Sequence, residues 1–241
     1  LPILTLVAYY SLGERRFSAF IQDRIGPNRC GPGGILQPLA DGLKFFTKED
    51  IIPTHADKVL FLIAPVIGLA TSFITFAVIP FGTSVEVLGE KVKLQIADIN
   101  IGILYILAIV SLGVYSNVLA GWASRNKYSL MGGLRSSAQM ISYELAMGLS
   151  LIGVLMVFET LTLDGMVAAQ NGTVSWLPFL PKWGCFVQPL ACVIFIIAAF
   201  AETNRLPFDV PEAEPELVAG YHTEYSSMKF ASFMMSEYCF M

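Results

Sequence analysis

No charged residue stands between Lys58 and Glu86, and none between Asp98 and Arg125. A helix must cover about 30 Å, or roughly 20 residues, to cross the hydrocarbon core of a bilayer, and each of these stretches is longer than that. Val59 to Phe81 and Ile99 to about Trp122 therefore read as membrane-spanning helices, with Trp122 placed as an interfacial aromatic anchor. Composition agrees: 55% of the 241 residues are hydrophobic and only 14% are charged, against about 25% charged in a soluble domain. A soluble enzyme is excluded on these grounds. The net charge of -4 argues against a nucleic-acid partner, which would need clustered Lys and Arg without a comparable acidic load.

Two further stretches, Gln139 to Phe158 and Trp183 to Ala201, are apolar apart from Glu144 in the first and Glu202 just past the second. Both read as spans. Leu1 to Leu12 and Met228 to Met241 are apolar but short, the first only about 18 Å as a helix, and are expected to be parts of spans completed outside this sequence. The expectation is one membrane domain over 1–241, belonging to a fragment or to one part of a split protein. No basic segment precedes Leu1 and no small-residue cleavage site follows it, so a signal peptide is not expected.

If the spans alternate, segments 13–58, 121–138 and 202–229 share one side and hold 12 of the 15 Lys and Arg residues. The positive-inside rule places that side in the cytoplasm or its organellar equivalent. Within the first of these segments Ile35, Leu36, Leu39, Leu43 and Phe46 recur at roughly helical spacing, with Asp41 and Lys44 three apart where they could pair. This pattern predicts an amphipathic helix on the membrane surface, although a solvated connector would carry the same charges.

Carboxylates inside spans are the most informative residues. Glu144 lies nine residues past Arg135, roughly 13 Å along a helix axis, and a charged group at such depth costs on the order of 3 kcal/mol even on a lenient scale. It is a functional candidate, the plain alternative being a neutral Glu bonded to a neighbouring helix. Glu237 is also set in an apolar stretch, whereas Glu159, near a span end, is given no role. In Ala201 to Tyr221, prolines at 207, 211 and 215 disfavour a regular helix. An extended chain would put Glu212, Glu214 and Glu216 on one side at roughly 7 Å intervals. Their mutual repulsion would raise their pKa values and make them titrate together, as a proton relay needs. A solvated acidic loop is the alternative.

Cys30, Cys185, Cys192 and Cys239 show no metal-binding spacing, and His55 and His222 both fall in loops. There is no phosphate loop, no G-x-G-x-x-G and no nucleophile elbow. Electrons for any redox chemistry would come from another subunit.

The chain resembles the family of the subunit 1 membrane protein, also called the H subunit, of respiratory complex I, the proton-pumping NADH:quinone oxidoreductase. The resemblance rests on Glu14-Arg15-Arg16, Gly26-Pro27-Asn28, Leu36 to Asp41, Gly121-Trp122, Leu134-Arg135, Ser142-Tyr143-Glu144, and Ala201 to Arg205 continuing through Pro207-Phe208-Asp209 to Glu216-Leu217-Val218. Members of that family have a fuller first span and about two more helices beyond this sequence. The resemblance implies an all-α integral membrane protein of tilted helices with a surface helix and long inner loops. It also implies a quinone chamber near Glu14, Arg15, Arg24, Asp41, Arg205 and Phe208. An acidic proton path would run through Glu144, Glu202, Glu212, Glu214, Glu216, Glu224 and Glu237. Quinone is then a substrate, no cofactor or metal belongs to this chain alone, and flavin and iron-sulfur clusters sit in partner subunits. The implied partners are hydrophilic subunits on the inner side, small membrane subunits of the pumping arm and the bilayer. The membrane would be a bacterial plasma membrane, a mitochondrial inner membrane or a thylakoid. A related subunit of a membrane-bound hydrogenase or of a ferredoxin-driven photosynthetic complex fits the same residues. A stand-alone proton transporter is disfavoured by the lack of an inverted repeat, and a purely structural anchor would tolerate every carboxylate substitution.

Overall fold

The computed structural model describes residues 2–82, 85–87, 90–174, 177–205, 207–211 and 214–241. They form an almost entirely helical protein with two short antiparallel hairpins. The elements in chain order are α1 (Pro2–Ile21), α2 (Gln37–Thr47), α3 (Lys58–Thr75), β1 (Val85–Val87), β2 (Glu90–Val92), α4 (Gly102–Ala123) and α5 (Lys127–Phe158). After these come α6 (Leu163–Ala169), β3 (Thr173–Val174), β4 (Leu177–Pro181), α7 (Gly184–Val187), α8 (Pro189–Glu202), α9 (Glu214–Leu217) and α10 (Ser227–Phe240).

Among the described residues three helices, α3, α4 and α5, are long and apolar enough to cross a membrane. α3 starts where the sequence predicts, because the Asp57 carboxylate accepts from the amides of Val59 and Leu60 and caps the first turn. α5 begins at Lys127, capped by Asn126, and runs 32 residues to a left-handed Glu159. Its start thus lies well before the stretch from Gln139 that the sequence suggested. α2 matches the predicted surface helix, with Pro38 in its first turn and no buried residue.

Several expectations need correction. The first helix does not stop near Leu12 but continues through Glu14, Arg15 and Arg16 to Ile21, because nothing in that stretch breaks a helix and its charged side chains find partners. Asp41 pairs with Arg15 at 2.6 Å and accepts from Gln37, rather than pairing with Lys44. The span expected from Trp183 to Ala201 is interrupted at Gln188, where Pro189 supplies no amide hydrogen and Gln188 leaves helical geometry. α8 alone is 14 residues, about 21 Å. The extended strand expected through the acidic prolines is replaced at Glu214–Leu217 by one helical turn. Pro215 sits in the first turn, the one place where a helix tolerates it. Glu214 and Glu216 therefore do not alternate along a strand, and Glu212 lies outside the described residues.

α3 packs on α4, α4 on α5, α5 on α8, and α10 closes against α3 with α1 beside it. The crossings are made tight by small residues: a Cβ on Gly121 would meet the Ser129 carbonyl at 2.6 Å, and one on Gly133 would meet the Asn117 carbonyl at 2.9 Å. One apolar cluster gathers Phe61, Ala64, Ala120, Tyr221, Tyr225 and Phe233 where α3, α4 and α10 meet. Phe61 and Tyr225 stack there with ring centroids 4.0 Å apart.

Candidate functional site

Hydroxyl and amide side chains knit the spans together before any carboxylate is considered. Ser116 donates to the Ala64 carbonyl at 2.7 Å and Ser236 to the Gly68 carbonyl at 2.7 Å, tying α4 and α10 to α3. Asn117 donates to Ser136 at 2.8 Å between α4 and α5. Gln139, on α5, donates to the carbonyls of Ala201 at 2.8 Å and Phe208 at 2.7 Å, fixing the turn that follows α8. Phe208 also meets Tyr143 edge to face, with centroids 5.4 Å apart.

That turn delivers Arg205 to a cleft of about 1070 Å³ between α1, the end of α8 and α10. Glu14 accepts from Arg205 Nη1 at 2.9 Å through one oxygen and from the Tyr238 hydroxyl at 2.7 Å through the other. The guanidinium lies 4.5 Å from the Tyr238 ring centroid. Arg205 Nε and Nη2 are buried and make no hydrogen bond among the described residues. Burial alone would lower its pKa, but Tyr238 and Glu14 outweigh that and hold it above the ordinary arginine value. The group stays a fixed cation. Leu6, Tyr9, Phe17, Phe200 and Met241 supply the apolar wall. A cleft with one cationic fork and an apolar wall is of the kind that takes a small molecule with a polar head and an apolar body.

Glu237 faces this cleft and also a second, nearly closed cavity of about 20 Å³. Its Oε1 accepts from the Tyr221 hydroxyl at 2.8 Å. The same small cavity is lined by Glu202, Ser116, Asn117 and Ser236. Glu202 is only 9% exposed, and its Oε2 makes no hydrogen bond among the described residues. A cavity of this size with several polar walls has room for one bridging water. Glu144 opens instead on an apolar groove between α4 and α5, beside Leu107 and Ile141.

The structure thus brings Glu14, Arg205 and Glu237 to one cleft, and Glu202 and Glu237 to one buried cavity. Among the described side chains, the other expected residues line neither of these two spaces. Arg15 and Asp41 pair at the surface, and Arg24, bonded to Gln22 at 2.6 Å, borders a separate loop pocket with Arg29. Glu216 pairs with Arg135 at 2.6 Å in an exposed position, and Glu224 accepts from Asn126 at 2.7 Å. Glu214 lies on the short α9.

Tyr238, Tyr221 and Gln139 carry much of the geometry, and sequence reasoning misses them: Tyr238 stands beside Glu237 and Gln139 lies in an apolar helix, whereas nothing local marks Tyr221, which sits in a short 3-10 turn. His222 was read as a loop residue, yet it is buried among Tyr221 and Phe230, and burial pushes its pKa down to about 4. Burial likewise raises the Tyr225 hydroxyl. Among the described residues no three His, Cys, Asp or Glu side chains lie close enough together to hold a metal ion.

A family model described as NADH dehydrogenase matches residues 1–241. The chain is 56% identical to an H subunit of the NADH-quinone oxidoreductase of Geobacter sulfurreducens over 248 residues, 98% of this chain and 69% of that protein. It is 53% identical to an H subunit of the corresponding oxidoreductase of Cytophaga hutchinsonii over 235 residues, covering 98% and 66%. The H subunit from Thermomicrobium roseum is 51% identical over 237 residues, covering 98% and 70%. The chain spans about two thirds of the length of these relatives. With three membrane-length helices and this identity along nearly all of its sequence, the chain belongs to the NADH dehydrogenase family of membrane subunits represented by the H subunit of NADH-quinone oxidoreductase.

Proposed function

We propose that this chain is the complex I membrane subunit that forms much of the quinone-access chamber and the start of an acidic path coupling quinone reduction to proton translocation. The observation that carries this reading is the double exposure of Glu237, which faces both the large cleft and the buried cavity holding Glu202.

Quinone reduction to quinol takes two electrons and two protons. In this reading an iron-sulfur cluster of a neighbouring hydrophilic subunit supplies the electrons, and this chain contributes no redox centre. Its residues bind and position the quinone head and handle charge. Arg205, a fixed cation on the wall of the cleft, suits a quinone oxygen that gains negative charge on reduction. Glu14 and Tyr238 hold that guanidinium in place. Glu237 can then pass a change in charge or protonation to Glu202, and from there toward Glu144, along groups spaced through the bundle. Glu214, on the short α9, with Glu216 and Glu224 extends the acidic set at the loop side.

The basic segments face the cytoplasm or the mitochondrial matrix and receive the hydrophilic subunits, while small membrane subunits continue the acidic path away from the chamber. In assembled complex, Glu144→Gln and Glu216→Gln are expected to slow quinone reduction severalfold. NADH oxidation by an artificial acceptor at the flavin should remain unchanged. Equal loss of both activities with the complex still assembled would contradict the proposal.

A further inference from the structure

A groove of about 360 Å³ opens between α5 and the α7–α8 segment and shares no lining residue with the cleft or the buried cavity. It exists because Pro189 breaks the helix. α7 is set off as a separate turn, held by the Gly184 amide donating to Gln170 Oε1 at 3.0 Å and by Gln188 Nε2 donating to the Gly153 carbonyl at 3.0 Å. Gly184, Ala191 and Cys192 are too small to fill the space, and Leu151, Val154 and Phe195 wall it.

Among the described residues, no lining side chain is charged. Leu151 lies seven residues before the end of α5 at Phe158, about 10 Å along the axis and within one leaflet of the hydrocarbon core. Trp183, an exposed lining residue, stacks on Phe186, and next to it in the chain the exposed Lys182 carries its ammonium 5.7 Å from the Phe158 ring centroid. An exposed lysine and an indole belong at the headgroup level of a bilayer, and an ammonium there attracts anionic lipid.

We infer that the groove holds one acyl chain of an anionic phospholipid whose phosphate pairs with Lys182. The lipid fixes the broken α7–α8 segment against α5 by filling the space that the small side chains leave. This site is independent of the quinone reading, and its test does not depend on turnover.

The test uses assembled complex in vesicles that contain phosphatidylglycerol with a photoreactive group on the acyl chain, followed by peptide mapping of the label. Label should concentrate at Leu151, Val154 and Phe195, severalfold above the outward-facing Leu149 and Met156 of the same helix, which are exposed. Ala191→Phe should reduce groove labelling to the level of those bystanders. Lys182→Gln should lower it about fivefold, the equivalent of about 1 kcal/mol for one basic residue near an anionic surface. The same probe on phosphatidylcholine should label the groove weakly and ignore the Lys182 change. If Ala191→Phe does not assemble, Cys192→Leu provides the same comparison with a smaller intrusion. Uniform labelling of all outward positions, groove labelling unaffected by the filling substitutions, or a groove left unlabelled because protein covers it would overturn the inference. Equal labelling by the two headgroups would overturn the role of Lys182.

Discussion

Glu237 stands between two spaces of different character, one wide and partly apolar, the other room for a single water. Its place in an apolar stretch was legible from the sequence, as was that of Glu144, because a carboxylate amid apolar neighbours breaks a strong pattern. The residues that make Glu237 useful were not legible. Tyr221, Tyr238 and Gln139 are neutral and cost little inside a helix bundle, so no periodicity flags them. Arg205→Lys keeps the charge but not the fork that meets Glu14 while lying over Tyr238. Losing a charge-assisted bond of about 1.5–3 kcal/mol should lower quinone-reductase activity of assembled complex by roughly tenfold or more. Wild-type activity would show that the fork is unimportant. His222 gives a pH prediction. Its folded pKa of about 4 lies below the ordinary 6.5, so the unfolded chain binds more protons between those values. Stability is complete above pH 6.5 and falls as pH drops toward 4, by up to roughly 3 kcal/mol. His222→Phe should remove that part of the acid sensitivity, read as a smaller fall in thermal midpoint between about pH 7.5 and 5 than in wild type. An unchanged slope would mean that His222 is not what titrates.

At the scale of elements, charge-free length was enough to place α3 and α4, since hydrocarbon thickness sets a lower bound that few other patterns meet. It was not enough for α1 and α8. α1 runs on through Glu14 because Arg205 and Tyr238 come from distant parts of the chain to meet that carboxylate, and no local signal announces a partner so far away. α8 is shortened by Pro189, whose effect on hydropathy is small although its effect on the backbone is decisive. The acidic turn at Glu214–Leu217 shows the converse: three prolines suggested an extended chain, yet one of them fits the first turn of a helix. Close helix approach gives a paired prediction. Gly121→Ala places a methyl 2.6 Å from the Ser129 carbonyl and should destabilise the α4–α5 crossing by about 1–3 kcal/mol. Gly148→Ala has open space around it and should be neutral or stabilising by up to about 1 kcal/mol through helix propensity. Thermal stability and yield of assembled complex for the two variants check this, and similar behaviour would contradict the packing described.

At the scale of the whole molecule, the helices are laced by serine, asparagine and glutamine bonds, and Glu202 and Glu237 line a small cavity within that lacing. The all-helical membrane architecture was legible in composition and span length, while quinone entered only through resemblance, since nothing in periodicity or spacing specifies a ligand. In the proposed mechanism Glu237 connects the cleft to the buried acidic cavity. Its most direct test is Glu237→Gln in assembled complex in sealed vesicles, with NADH-driven quinone reduction, proton uptake and NADH oxidation by an artificial acceptor measured on one preparation. Quinone reduction and proton movement are expected to fall together by roughly tenfold while the artificial-acceptor activity is unchanged. Quinone reduction and proton movement both at wild-type levels would contradict it.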